Sequence, residues 1–234
     1  MKTSVPPKSL KDQIRWQLWL TIAANFALFY VVAQSDAFAA SGVSGLLTGA
    51  ANLLPVGLAL IVTTIANGLL DANMKARLVF LRWKFALPGH RAFSVHAVAD
   101  PRVDVARLGE AIGQMPTTPA DENLVWYRLY KKIETDPAVM QIHREFLFTR
   151  DYAAFSFLFL LGFGVAALFL ISELQVAVLY LLALIGQFVV VRHAAANYGV
   201  RFVTTVLAQS SLRQPPKASK SSDRTQRECR ENHD

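Results

Sequence analysis

Four stretches of this chain contain no Asp, Glu, Lys or Arg: Trp16 to Ser35, Ala37 to Leu70, Tyr152 to Ser172 and Leu174 to Val191, of 20, 34, 21 and 18 residues. A helix of about 20 apolar residues crosses the roughly 30 Å hydrocarbon core of a bilayer, where every backbone N–H and C=O has to be bonded internally. Runs of that length constrain the chain to an all-α, polytopic membrane protein with four transmembrane helices. At 53% hydrophobic and 18% charged, the composition excludes a disordered or fibrous chain. The single cysteine, Cys229, excludes an intrachain disulfide framework.

The 34-residue run is too long for one straight span and too short for two with a turn. Ser41, Gly42, Ser44, Gly45 and Gly49 fill its first half, and Asn52 and Pro55 mark a join. The sequence therefore predicts an interfacial or re-entrant segment at 42–51 and a second membrane helix from about 53 to 72. Pro55 then falls in the first turn, where a missing N–H costs little.

Lys and Arg set the expected topology. Residues 1–15 hold four, residues 71–151 twelve and residues 192–234 eight, which accounts for all 24. The positive-inside rule places both termini and the central segment in the cytoplasm. Trp16, Trp19 and Tyr30 near the ends of the first run, and Tyr152 opening the third, are placed as interfacial anchors. A cleavable signal peptide is the alternative for the first run, because Ala37-Phe38-Ala39 resembles a cleavage site, but the apolar stretch is long for that role.

The expected organisation is a cytoplasmic arm (1–15), membrane helices 1 and 2 (16–72), a helical cytoplasmic region (73–151), a membrane hairpin of helices 3 and 4 (152–191), a cytoplasmic helix extension (192–208) and a basic tail (209–234). The tail's Ser, Pro, Lys, Arg and Gln content is that of a disordered segment. Within the central region the second membrane helix is predicted to continue past Asp71 as far as Leu87-Pro88-Gly89. A short helix at 102–112 stops at Gly113, with Val105, Leu108 and Ile112 on one face. Thr118-Pro119-Ala120-Asp121 reads as a helix start leading to Leu124, Tyr127, Tyr130 and Ile133, and Asp136-Pro137 as another that runs into the third span. Twelve bases against ten acids in residues 71–151 leave this region near neutrality, which disfavours nucleic acid as a partner. Lipid, a cytosolic protein and a second copy of the chain are the expected partners.

Chemistry is sparse. The spans carry no ionisable side chain of the kind that proton-coupled or charge-selective transport uses. Their polar groups, Asn25 and Gln187 among them, and the small residues Gly45, Gly49, Gly162 and Gly164 are candidates for helix packing. The five histidines show no metal-ligand spacing, no nucleotide-binding motif is present, and no cofactor is expected. Arg91 to His96 matches the R-x4-H pattern of HEPN-type ribonucleases, but it directly follows a Pro-Gly break where the helix that such a pair requires is unsupported. Arg77, Arg82, Trp126, Tyr127 and Arg128 are the candidate partner-binding residues, with core filling as the competing role for the aromatic ones.

Leu87-Pro88-Gly89-His90-Arg91-Ala92-Phe93, Asp100-Pro101-Arg102-Val103-Asp104, Glu122 to Lys132 and Asp136-Pro137-Ala138-Val139 resemble segments of a set of uncharacterised bacterial four-helix membrane proteins. The resemblance covers about residues 75–205 and supports the architecture; the expected location is the bacterial inner membrane. It brings no activity and no site residue, only a loose association with defence and mobile-element loci. The function expected is that of a non-enzymatic protein whose cytoplasmic region docks or senses a cytosolic partner. An oligomeric pore or membrane-disrupting effector gated from the cytoplasm is the alternative, and a membrane-tethered ribonuclease using Arg91 and His96 a third.

Overall fold

The structure, a computed structural model, describes residues 10–48, 61, 65 and 68–213, and the regular elements among these are all helical. In chain order they are α1 (Leu10–Ala33), α2 (Ser35–Thr48), α3 (Ala72–Phe80), a 3-10 turn (Pro88–Arg91), a π-helical turn (Ala92–Ala97), α4 (Val105–Ile112), α5 (Pro119–Lys132), α6 (Pro137–Leu170) and α7 (Leu174–Leu212). Three of them, over Ile14–Ala33, Pro137–Leu170 and Leu174–Leu212, are long and apolar enough to cross a membrane. The second span expected from the sequence falls mostly on residues outside the described ones. So does Gly49, while α2 carries the first part of the expected 42–51 segment. Gly42 breaks α2 with φ 58° and ψ −140°, a conformation open to glycine and strained for any residue with a Cβ.

The 34 residues of α6 and 39 of α7 make helices about 51 and 58 Å long, well beyond the bilayer core. Ile171 to Glu173 link them into an antiparallel hairpin, and α1 packs against α6. At the apolar end the contact is aromatic. Phe29 stacks on Phe163 at 4.4 Å between ring centroids, and Phe26 meets the same ring edge-on at 4.8 Å. Such pairs add about 0.5–1.5 kcal/mol each beyond the area they bury.

At the other end, residues 137–151 of α6 and 192–212 of α7 form a two-helix stem that carries the short elements. The core there gathers Phe93, Val103, Leu108, Trp126, Leu129 and Ile133 against Phe146, Phe202, Val206 and Leu207. Local signals start each element. Asp104, Thr118 and Asp136 accept the N–H groups of Arg107, Asp121 and Ala138 at the starts of α4, α5 and α6, and Gly113, with φ 81°, ends α4. Long-range bonds then seat the connections. Arg102 binds Asp100 and reaches Thr204 Oγ1 of α7 at 3.1 Å, and Arg213 pairs with Asp136.

One expectation needs correction. The helix expected to start near residue 53 does not run on to Leu87: Asp71 leaves helical geometry and caps a new helix by accepting the Met74 N–H at 2.6 Å. That helix stops at Phe80, because Leu81 adopts a left-handed conformation (φ 51°) and Arg192 of α7 donates to the Val79 carbonyl at 3.1 Å. In α5 Glu122, Trp126 and Leu129 are buried, while Leu124 and Tyr127 are exposed. The Trp126 ring is drawn inward by Phe202 of α7, which it meets edge-on at 5.3 Å. In α4, likewise, Leu108 is buried while Val105 is exposed.

Candidate functional site

The helical module between α3 and α6 is tied to the long helices by one aromatic node. Phe202 of α7 lies edge-on to Trp126 and Tyr130 of α5 and stacks face to face on His143 of α6, at 4.5 Å and 5° between ring planes. The Tyr130 hydroxyl lies 3.2 Å from His143 Nδ1. Burial, reinforced by the positive charge of Arg150, pushes the His143 imidazole down to about 4, so it is neutral near pH 7 and can accept from Tyr130. Three helices thus meet on one ring. Through that ring α5 packs on the two helices that continue into the apolar hairpin.

The candidate residues of α5 divide between two faces. Trp126 is buried in the node, while Tyr127 and Arg128 are exposed, and Leu124 one turn earlier shares their outer surface. Lys131 and Lys132 lie in the last turn of the same helix. Arg77 on α3 and Arg82 just beyond it are also exposed, but they lie on another part of the surface.

Arg91 and His96 occupy the 3-10 turn and the π-helical turn rather than one α-helix. The turn is built around Glu122, whose Oε2 accepts the N–H groups of Phe93 at 2.8 Å and Ser94 at 3.0 Å. The carboxylate is 4% exposed and supplies the anion that the first N–H groups of a helical turn call for. Gly89 lets the segment sit flush on α5, since a Cβ there would overlap Asn123 Oδ1. Burial first, then Arg91, lowers the His96 imidazole below its ordinary value, and burial together with Arg82 lowers the Arg91 guanidinium. Among the described residues, no group of three His, Cys, Asp or Glu side chains could hold a metal ion.

Within the hairpin, Gln187 Nε2 donates to Asn25 Oδ1 of α1 at 2.9 Å and lies 3.1 Å from the Tyr152 hydroxyl and 3.4 Å from Ser156 Oγ of α6. Gly164 of α6 faces Leu181 of α7, where a Cβ would come to 2.9 Å of the Leu181 Cδ1. Gly162 faces open space, with nothing within 4 Å of a Cβ, and Gly45 lies in α2.

Between the two cores runs a charged belt. Lys75 Nζ lies 3.3 Å from Asp151 Oδ1, which also accepts from Arg150 at 2.9 Å; all three side chains are mostly buried. The belt marks the level at which α6 turns from polar to apolar.

Comparison of the chain with family models, with curated proteins and with solved structures finds no match. Function is therefore read from geometry.

The sequence alone did not single out His143 or Glu122. Glu122 was hidden among the charges of an apparently solvated helix; its one signal is a position four residues before Trp126, on the stripe that turns inward. Trp83 and Phe85, aromatic residues interleaved with Arg82 and Lys84, form an interfacial pattern that is legible in the sequence.

Proposed function

We propose that the protein is a non-enzymatic integral protein of the bacterial inner membrane, with four spans and with both termini and the helical module in the cytoplasm. The module docks or senses a cytosolic partner. Charge distribution supports the orientation, because all 24 Lys and Arg residues fall in the arm, the central region and the C-terminal segment. The observation that carries the functional reading is continuity. Both α6 and α7 run without a break from the apolar hairpin into the core beneath α5, where Phe202 gathers Trp126, Tyr130 and His143. A partner bound to the outer face of α5 acts on the hairpin through that node. Leu124 and Tyr127 with Arg128 and Lys132 suit a partner surface that is apolar with acidic neighbours.

Purification of the full chain in mild detergent at native expression, beside a Tyr127→Ala/Arg128→Ala variant, tests this. The reading expects a stoichiometric cytosolic protein with the wild type and its loss from a variant that keeps its thermal midpoint. A pure homo-oligomer with no partner would overturn it and favour the pore reading.

A further inference from the structure

An open groove of about 390 Å³ lies where α3 meets the apolar half of α6. Its floor is apolar, made by Leu78 and Phe157 with Leu70 and Met74, and its rim carries Arg77, Arg82 and Trp83. The charged belt fixes its depth. Lys75 of α3 pairs with Asp151, and Phe157 lies six residues further along α6, about 9 Å into the apolar stretch. The groove therefore lies beside the polar boundary, with the two arginines and the apolar side chains lining the same space.

The cations at the rim lack counter-ions. Among the described residues neither Arg77 nor Arg82 makes an ion pair, and both are exposed. Arg91 lies close enough behind Arg82 for the two positive charges to act on each other, with Glu122 offsetting part of that effect at Arg91. Glu122, the acid that acts on Arg91, accepts the Phe93 and Ser94 N–H groups and makes no ion pair with Arg77 or Arg82. Trp83 stands 82% exposed at the same level, as an interfacial tryptophan does.

We infer that this groove is a binding site for an anionic phospholipid of the cytoplasmic leaflet. Arg77 and Arg82 hold the phosphate and the upper acyl chain lies on Phe157 and Leu78. Charge complementarity selects a lipid with a net negative headgroup over a zwitterionic one, since surplus cationic charge is left after one phosphate is neutralised. The apolar floor selects a lipid over free phosphate, which would leave that surface uncovered. The inference rests on placing residues 152–170 in the bilayer and is independent of partner docking on α5, so failure of partner capture leaves it standing.

The test is titration of the full-length protein in detergent with phosphatidylglycerol or phosphatidylcholine, counting retained lipid by native mass spectrometry. Wild type is expected to retain phosphatidylglycerol in preference, and Arg77→Gln/Arg82→Gln to cut that preference about tenfold or more. Arg107→Gln, a charge removed from the exposed surface of α4, is expected to leave it unchanged. Equal retention of the two lipids by wild type overturns the proposal without any variant. An unaltered preference in a folded double variant, an equal fall in Arg107→Gln, or full competition by inorganic phosphate also overturns it.

Discussion

Gln187 and Asn25 are 162 positions apart in the chain, yet the Gln187 amide donates to the Asn25 carbonyl oxygen at 2.9 Å, joining α7 to α1 inside the apolar bundle. Lipid offers neither group an alternative partner, so the bond adds to shape complementarity in setting how α1 sits on the hairpin. Asn25→Leu and Gln187→Leu should each destabilise the protein. A double-mutant cycle on the thermal midpoint in detergent should give a coupling of about 0.6–1.7 kcal/mol. Strict additivity would mean that the bond contributes nothing.

Gly199 and Gly186 lie on the same helix and should respond oppositely to alanine. A Cβ at Gly199 would come to 2.7 Å of Phe80 Cζ and 2.9 Å of Phe146 Cε2, whereas at Gly186 nothing lies within 4 Å. Gly199→Ala should cost about 1–3 kcal/mol by overpacking. Gly186→Ala should be neutral or stabilising by up to about 1 kcal/mol. A costly Gly186→Ala, measured as a fall in the mass of the complex, would reveal a second copy packed on that face.

Glu122 should tolerate loss of its charge better than loss of its oxygen. Glu122→Gln keeps an acceptor for the Phe93 and Ser94 N–H groups, whereas Glu122→Ala leaves the buried Phe93 donor bare, at about 1–3 kcal/mol, along with the part-buried Ser94 donor. Thermal unfolding should rank wild type above Glu122→Gln and that variant well above Glu122→Ala. Equal midpoints for the two variants would contradict this account of the turn.

His143 makes the node sensitive to acid. Its folded value of about 4 lies below the value of about 6.5 expected for an unfolded chain, so the unfolded state binds the proton more readily. The stability held by the neutral ring is complete above about pH 6.5 and is lost as the pH falls toward 4, amounting to about 2–3 kcal/mol. Asp100, held low chiefly by its hydrogen bond to Arg102, loses its contribution only below the ordinary carboxylate range, at lower pH. The thermal midpoint should fall between pH 7 and 4 more steeply in wild type than in His143→Gln. Parallel curves would remove His143 as the cause.

What the sequence made legible was local. Thr118-Pro119, Asp136-Pro137 and Gly113 act through side-chain oxygens and backbone freedom within four residues, and they mark the ends of α4, α5 and α6. Length and lack of charge identified the long helices. What it hid was tertiary. The break at Asp71 sits inside a pattern that reads as one helix until Lys75 is drawn to Asp151, 76 positions away. The 3-10 and π turns exist because a carboxylate 29 positions on accepts the Phe93 N–H. Whether Trp126 or Tyr127 faces outward is decided by Phe202, which no pattern within α5 encodes.

The side on which the α5 face and the Ile171–Glu173 link lie tests the account most directly. With Cys229 replaced by Ser, single cysteines at Arg128→Cys and Glu173→Cys can be challenged with a membrane-impermeant maleimide on bacterial spheroplasts. The account predicts labelling of position 173 on intact spheroplasts and of position 128 only after lysis. Labelling of position 128 without lysis would put the module outside the cytoplasm and contradict the proposed function.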